Sequence, residues 1–175
     1  FGVVARNAVA VSTLLIANEE SIKERLQRVR GCVEMGLTVT WDVGNIYEYF
    51  VADHPILREA RDALTASGSS NSKAHRAEKI ELGRLYNQLV LDERKRHTDR
   101  VIEVLGDYCD EISVGVPKKE NEVMKLACLI KRDCRKAFEE GIFEVSHSFS
   151  DDYLFNYAGP WAPHSFVDLE LWTPQ

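Results

Sequence analysis

Cys32-Val33-Glu34-Met35-Gly36-Leu37-Thr38-Val39-Thr40-Trp41-Asp42-Val43 sets apolar Val33, Met35, Leu37, Val39 and Trp41 against Glu34, Gly36, Thr38, Thr40 and Asp42. A period of two sends successive side chains to opposite faces of a strand, so this run is predicted to be β with one apolar face for helices to cover. Val123 to Ile130 is near-continuously apolar around Lys125, the pattern of a strand buried on both faces. Glu111 to Val116 is a short strand candidate ended by Pro117. Tyr153, Phe155 and Tyr157, alternating with Leu154 and Asn156, predict a last one.

Between these strands the period changes. Residues 46–109 read as helical: Ile46, Tyr49 and Phe50 open the first piece, and His54-Pro55 interrupts it because a residue before proline avoids the α region. Pro55 to Ala66 follows, with Leu57, Ala60 and Leu64 on one face. Ser67-Gly68-Ser69-Ser70-Asn71-Ser72 reads as a flexible polar linker, and then a long helix runs from about Ala74 to Tyr108. That helix carries stripes of Leu82, Leu85 and Leu89, then Val101, Val104, Leu105 and Tyr108. The run Asp92 to His97 between them mixes both charge signs and reads as a solvated turn rather than a docking patch. Asn18 is the expected N-cap of a helix with Ile22, Leu26 and Val29 on its face. Cys134, Phe138, Ile142, Val145 and Phe149 predict another helix, with Gly141 as its weak point. Phe1 to Val4 is taken as the end of a strand.

With the helical insert 46–109 set aside, the order is βαββαβ: an α+β, modified ferredoxin-like domain over residues 1–158. Residues 159–175 form a tail opened by Gly159-Pro160-Trp161-Ala162-Pro163-His164-Ser165-Phe166-Val167. Two prolines exclude helix interior and central strand, and the rings bury large areas. Gly159, Pro160, Trp161, Pro163 and Phe166 are therefore expected to pack on the domain or on a partner, and Trp161→Ala to lower stability.

The net charge of −6 argues against a nucleic-acid binder, and no apolar run has membrane-spanning length. The chain opens without Met and is expected to be a piece of a longer protein. Cys32, Cys109, Cys128 and Cys134 form no CxxC pair and read as reduced, mostly buried cytosolic thiols. No glycine-rich phosphate loop, nucleophile elbow or HExxH helix is present. His54, His75, His97, His147 and His164 are scattered and read as surface residues, and Asp42 has no second group to pair it. No catalytic residue, metal or cofactor is expected, and the chain is not expected to be an enzyme.

The run 159–167 resembles the Gly-Pro-Trp-Pro-Pro-Tyr-Ser-Phe-Val ending of gas vesicle proteins of the GvpL/GvpF family, with Ala162 and His164 in place of proline and tyrosine. Phe1-Gly2, Val39-Thr40-Trp41-Asp42, Leu82-Gly83-Arg84 with Arg94 and Leu105, and Ala127-Cys128-Leu129-Ile130 with Phe138 resemble the family in order and spacing. The resemblance implies the C-terminal, modified ferredoxin domain of an accessory protein in gas vesicle assembly, located with the vesicle or in the cytoplasm. It implies contacts with the small hydrophobic shell protein (GvpA-type) and other accessory proteins, in a chaperone-like or nucleating role. Leu82, Leu85 and Leu89 are the candidate partner-binding residues. The alternative is a small ligand- or effector-binding regulatory module, for which a pocket at Asp42, Tyr47 and His54 would speak.

Overall fold

The computed structural model describes residues 4–66 and 73–172. The linker expected at 67–72 and the strand end expected at 1–3 lie outside the described residues; Val4 is irregular. In chain order the elements are α1 (Ala8–Ala17), α2 (Glu19–Arg28), β1 (Cys32–Trp41), α3 (Ile46–Asp53), α4 (Pro55–Ala66), α5 (Lys73–Leu105), β2 (Glu111–Gly115), β3 (Glu122–Lys131), α6 (Arg135–Ser146) and β4 (Tyr153–Trp161). A single 3₁₀ turn, His164–Phe166, follows. The fold is α+β, a four-stranded antiparallel sheet in the order β2-β3-β1-β4.

Register explains the alternation in β1. Val33, Met35, Leu37 and Val39 lie opposite Ile130, Cys128, Leu126 and Met124 of β3, and all eight are buried on the helix-covered face. Phe50, Val51, Leu57, Val90, Val101 and Leu105, together with Phe138, Ile142 and Val145 of α6, complete this core. Trp41, 2% exposed, meets Phe50 edge-to-face at 5.4 Å between ring centroids. Asn45 starts α3 by accepting the Glu48 N–H at 3.1 Å.

Three features depart from expectation. The helices 46–105 span the connection from β1 to β2 and line the main core, while α1 and α2 precede the sheet with no described strand before them. α6 runs unbroken through Gly141, where a Cβ would lie 2.6 Å from the Tyr108 ring, so glycine lets the turn after α5 close on this helix. The last strand runs through Trp161, three residues into the expected tail. Pro160 is tolerated because β4 is an edge strand among the described residues and needs no donor on its unpaired side.

Gly159 has φ +136°, and a Cβ would approach Met35 Sδ to 2.8 Å and the Glu34 carbonyl oxygen to 2.9 Å. Gly159→Ala is therefore expected to cost on the order of 2–4 kcal/mol, from left-handed strain plus overpacking against β1. Urea unfolding would read this as a lower midpoint at unchanged slope.

Candidate functional site

The helical layer leaves an apolar groove of about 610 Å³ between α4 and α5, lined by Ala60, Ala63, Leu64, Ala77, Leu82 and Leu85. Small alanines keep the two helices from filling the space between them. Leu82 and Leu85 are half-buried, packing inward on the core while lining the groove, and Leu89 packs on the core beside them. Glu78 and Glu81 stand on its α5 side. The groove has the chemistry of a packing surface.

The tail turns across the sheet face opposite the helices. Phe166, 4% exposed, sits in a second apolar cluster with Val29, Cys32 and Leu129. Beside it the buried Glu34 carboxylate accepts from Ser165 N–H and Ser165 Oγ at 2.8 Å each, with His164 Nε2 at 3.6 Å. Gly159, Pro160 and Trp161 end β4, Pro163 precedes the 3₁₀ turn, and Trp161 is 55% exposed. Further on, Asn18 does not cap α2 with its side chain. Its Nδ2 donates to the carbonyls of Leu14 and Trp172 and its Oδ1 accepts the Trp172 N–H, each at 2.8 Å. The tail is thus tied at two points, Glu34 and Asn18, that no local sequence pattern marks.

The charged run 92–97 is solvated only in part: Asp92, Lys95 and Arg96 are exposed, while Arg94 and His97 turn inward. Arg94 reaches under the β2–β3 connection, donating to the carbonyls of Glu120 at 2.8 Å and Glu122 at 2.9 Å, with its guanidinium 5.5 Å from the Trp41 ring centroid. His97, expected at the surface, is buried against Phe149 and Tyr153, and His75 is buried too. His97 Nε2 lies 2.7 Å from Glu93 Oε1 and 2.8 Å from Tyr153 Oη. Its Nδ1 is buried without a hydrogen-bond partner among the described residues. Burial pushes the imidazole below its ordinary range, against the pull of Glu93. Burial also raises the Tyr49 hydroxyl, as does its hydrogen bond with Tyr153. The i,i+4 spacing of Glu93 and His97 was the available signal, masked by the cations around it. This His–acid pair ties α5 to Tyr153 of β4, which in turn bonds Tyr49 of α3.

Of the thiols expected to be mostly buried, Cys32 and Cys128 are buried, Cys109 is half-buried, and Cys134 is exposed at the start of α6. Among the described residues no helix is long and apolar enough to cross a membrane, and no cluster of three or more His, Cys, Asp or Glu is placed to hold a metal.

Sheet, helical layer, apolar groove and pinned tail define an α+β packing domain. The chain belongs to the gas vesicle synthesis protein GvpL/GvpF family, whose model matches residues 1–168. It is 22% identical over 171 residues to gas vesicle protein F of Dolichospermum flosaquae, covering 97% of this chain and 68% of that protein. A shorter match, 31% over 77 residues, links it to gas vesicle protein F of Haloferax mediterranei, covering 41% of this chain and 35% of that protein. Its fold is that of the crystal structure of GvpF from Anabaena sp. (TM-score 0.80, 23% identity, 97% of this chain and 68% of that one). The GvpF structure from Microcystis aeruginosa is similar at a TM-score of 0.75 and 21% identity, over the same shares of the two chains. Family membership gives the chain a gas-vesicle-related role.

Proposed function

We propose that this chain is a non-catalytic assembly factor that holds the hydrophobic gas vesicle shell subunit, and engages other accessory proteins, before the shell polymerises. The observation that carries the reading is the apolar groove between α4 and α5 in a member of a gas vesicle synthesis family. A subunit destined for a gas-facing wall exposes apolar surface before it assembles, and an apolar groove shields it from water. Leu82 and Leu85 supply the larger contacts, and Ala63 and Ala77 set how deeply a guest enters. Localisation with the vesicle or in the cytoplasm belongs to the same proposal. The sheet order is consistent with a ferredoxin-like βαββαβ unit only if α3–α5 serve as its first crossover, in place of the expected unit that begins with a strand at residues 1–4 and sets 46–109 aside as an insert. The tail residues Gly159 to Phe166 are read as an intramolecular seal on the open sheet face.

The ligand-binding alternative gains no support. The polar hollow that contains Tyr47 is lined by Asn45, Glu120 and Asn121, and neither Asp42 nor His54 contributes to it.

Deleting residues 46–109 would remove much of the core, so the test uses exposed groove positions. Ala63→Glu with Ala77→Glu is expected to reduce co-purification of the shell subunit at least about tenfold, through desolvation of two carboxylates on docking. The thermal unfolding midpoint should stay within a few degrees. Undiminished co-purification by this folded variant overturns the groove as the docking site.

A further inference from the structure

A second surface combines a free strand edge with an apolar groove. β2 ends the sheet, pairing with β3 on one side, and its other side pairs with no described strand. Between this edge and α5 runs a groove of about 420 Å³ walled by Leu91, Thr98 and Ile102 on the helix and Val114 and Val116 on the strand side, with Met124 beneath. Val116 is 81% exposed, Val114 56% and Leu91 48%. Edges of this kind are ordinarily blunted by inward charges, proline or a covering segment; here Pro117 comes only after the strand has ended.

The charges around the groove are uneven. Asp99 is paired with Lys95, Glu120 is bonded to Tyr86 at 3.4 Å, and Glu122 accepts the backbone N–H groups of Lys118 and Lys119. At the other end of β2, Glu111 is paired with Arg28 at 2.6 Å. Lys118 and Lys119 are exposed and make no salt bridge among the described residues. The groove is therefore apolar along the strand, and past its C-terminal end Arg94, Lys118, Lys119 and Lys125 outnumber the carboxylates of Glu120 and Glu122, which keep their charge in their hydrogen bonds.

We infer that β2 and α5 bind an extended peptide segment of a partner protein, added antiparallel to β2, with acidic residues leading an alternating apolar run. Backbone pairing with the open edge supplies affinity, as in other strand additions. Every second side chain of the guest enters the groove beside Val114 and Met124, because side chains alternate across a strand. In an antiparallel guest the N-terminal end lies beside Lys118 and Lys119, which places the acids first. This surface lies apart from the α4–α5 groove and stands or falls independently of it.

The test is fluorescence anisotropy with the whole chain and three labelled, capped peptides: Asp-Glu-Val-Thr-Val-Thr-Val, its Lys-Lys-led counterpart, and an acidic version N-methylated at alternate amides. The acidic peptide is expected to bind about tenfold tighter than the basic one at low salt, and N-methylation to abolish binding. Lys118→Glu with Lys119→Glu should invert the preference between the two charged peptides. Val116→Asp, at a position too exposed to unfold the domain, should weaken the acidic peptide about tenfold. No binding, equal binding of the acidic and basic peptides, or tolerance of N-methylation each overturns the proposal.

Discussion

Phe166→Ala is expected to lower unfolding free energy by about 3 kcal/mol, the low end for removing a fully buried ring. The low end applies because Phe166 closes a small cluster of Val29, Cys32 and Leu129 rather than the main core. Loss of the ring should also free the 3₁₀ turn, so that Ser165 no longer satisfies the buried Glu34 carboxylate. A buried carboxylate without donors costs further, and Glu34 would then recruit water or move outward. By contrast Trp161→Ala, at a half-exposed position on the β4 end, should cost under about 1 kcal/mol. Paired denaturant titrations decide the matter: if the two variants are equally destabilised, or if Trp161→Ala is the worse, the anchor has been misassigned. Hydrogen exchange adds an independent readout, since Phe166→Ala should deprotect the Ser165 amide while leaving Met35 and Leu37 of the central strand protected.

The contrast between these two aromatic residues shows where sequence reasoning works and where it stops. The period-two run in β1 announced its own buried face because the register with β3 obeys the same alternation. The apolar stripes 57–64, 82–89 and 101–105 similarly announced helices, while Tyr108, expected at the end of the long helix, lies in the turn after α5. Within Gly159-Pro160-Trp161-Ala162-Pro163-His164-Ser165-Phe166, however, composition gives aromatic rings at 161, 164 and 166 and no depth. Only the path of the chain across the open face decides that Phe166 enters a cluster and Trp161 does not. Asn18 fails for a related reason. As a residue before Glu19 and Glu20 it has the composition of an N-cap, but its amide is used by a backbone segment 154 residues away. Long-range hydrogen bonds of this kind leave no periodic trace.

The run Asp92-Glu93-Arg94-Lys95-Arg96-His97 is the sharpest case. Six polar residues in a row suggest solvent, yet on a helix they point in all directions. Lys95 and Arg96 remain exposed, while Arg94 turns under the sheet and His97 into the α3–α5–β4 junction. A charged stretch in a long helix thus carries two inward residues among outward ones, at the three-residue spacing that shares a face. The Arg94 side chain binds carbonyls of the β2–β3 connection, which a neutral or shorter side chain could not reach.

Stability is expected to fall as pH drops from about 7 toward 5, at up to about 1.4 kcal/mol per pH unit, and His97→Gln should flatten that slope. In the fold the imidazole sits below its ordinary pKa of 6.5, because it is buried and because Arg96 and Arg100 oppose a positive charge, while Glu93 pulls the other way. The unfolded chain therefore takes up a proton first. Below the unfolded value it binds more protons than the native state, and native stability drains until the folded pKa is reached. Protonation in place would put an N–H on Nδ1, which is buried with no acceptor among the described residues, so the junction must open to admit the charge. The groups facing His97 are Glu93, Arg96 and Arg100 on its own helix, Tyr153 on β4, with Tyr49 of α3 behind Tyr153. Glu93 titrates in a separate window. Burial pushes it up, but Arg96 and His97 more than offset that, leaving it below its usual 4.5. With His97 neutral, Arg96 does the holding, and the stability contributed by Glu93 is lost only as pH falls below about 4.5. The glutamine amide can still donate to Glu93 and accept from Tyr153 without titrating. Urea midpoints measured across pH 5–8 should therefore diverge between the two proteins below about 6.5, and coincident profiles would show that the buried imidazole is not the linked group.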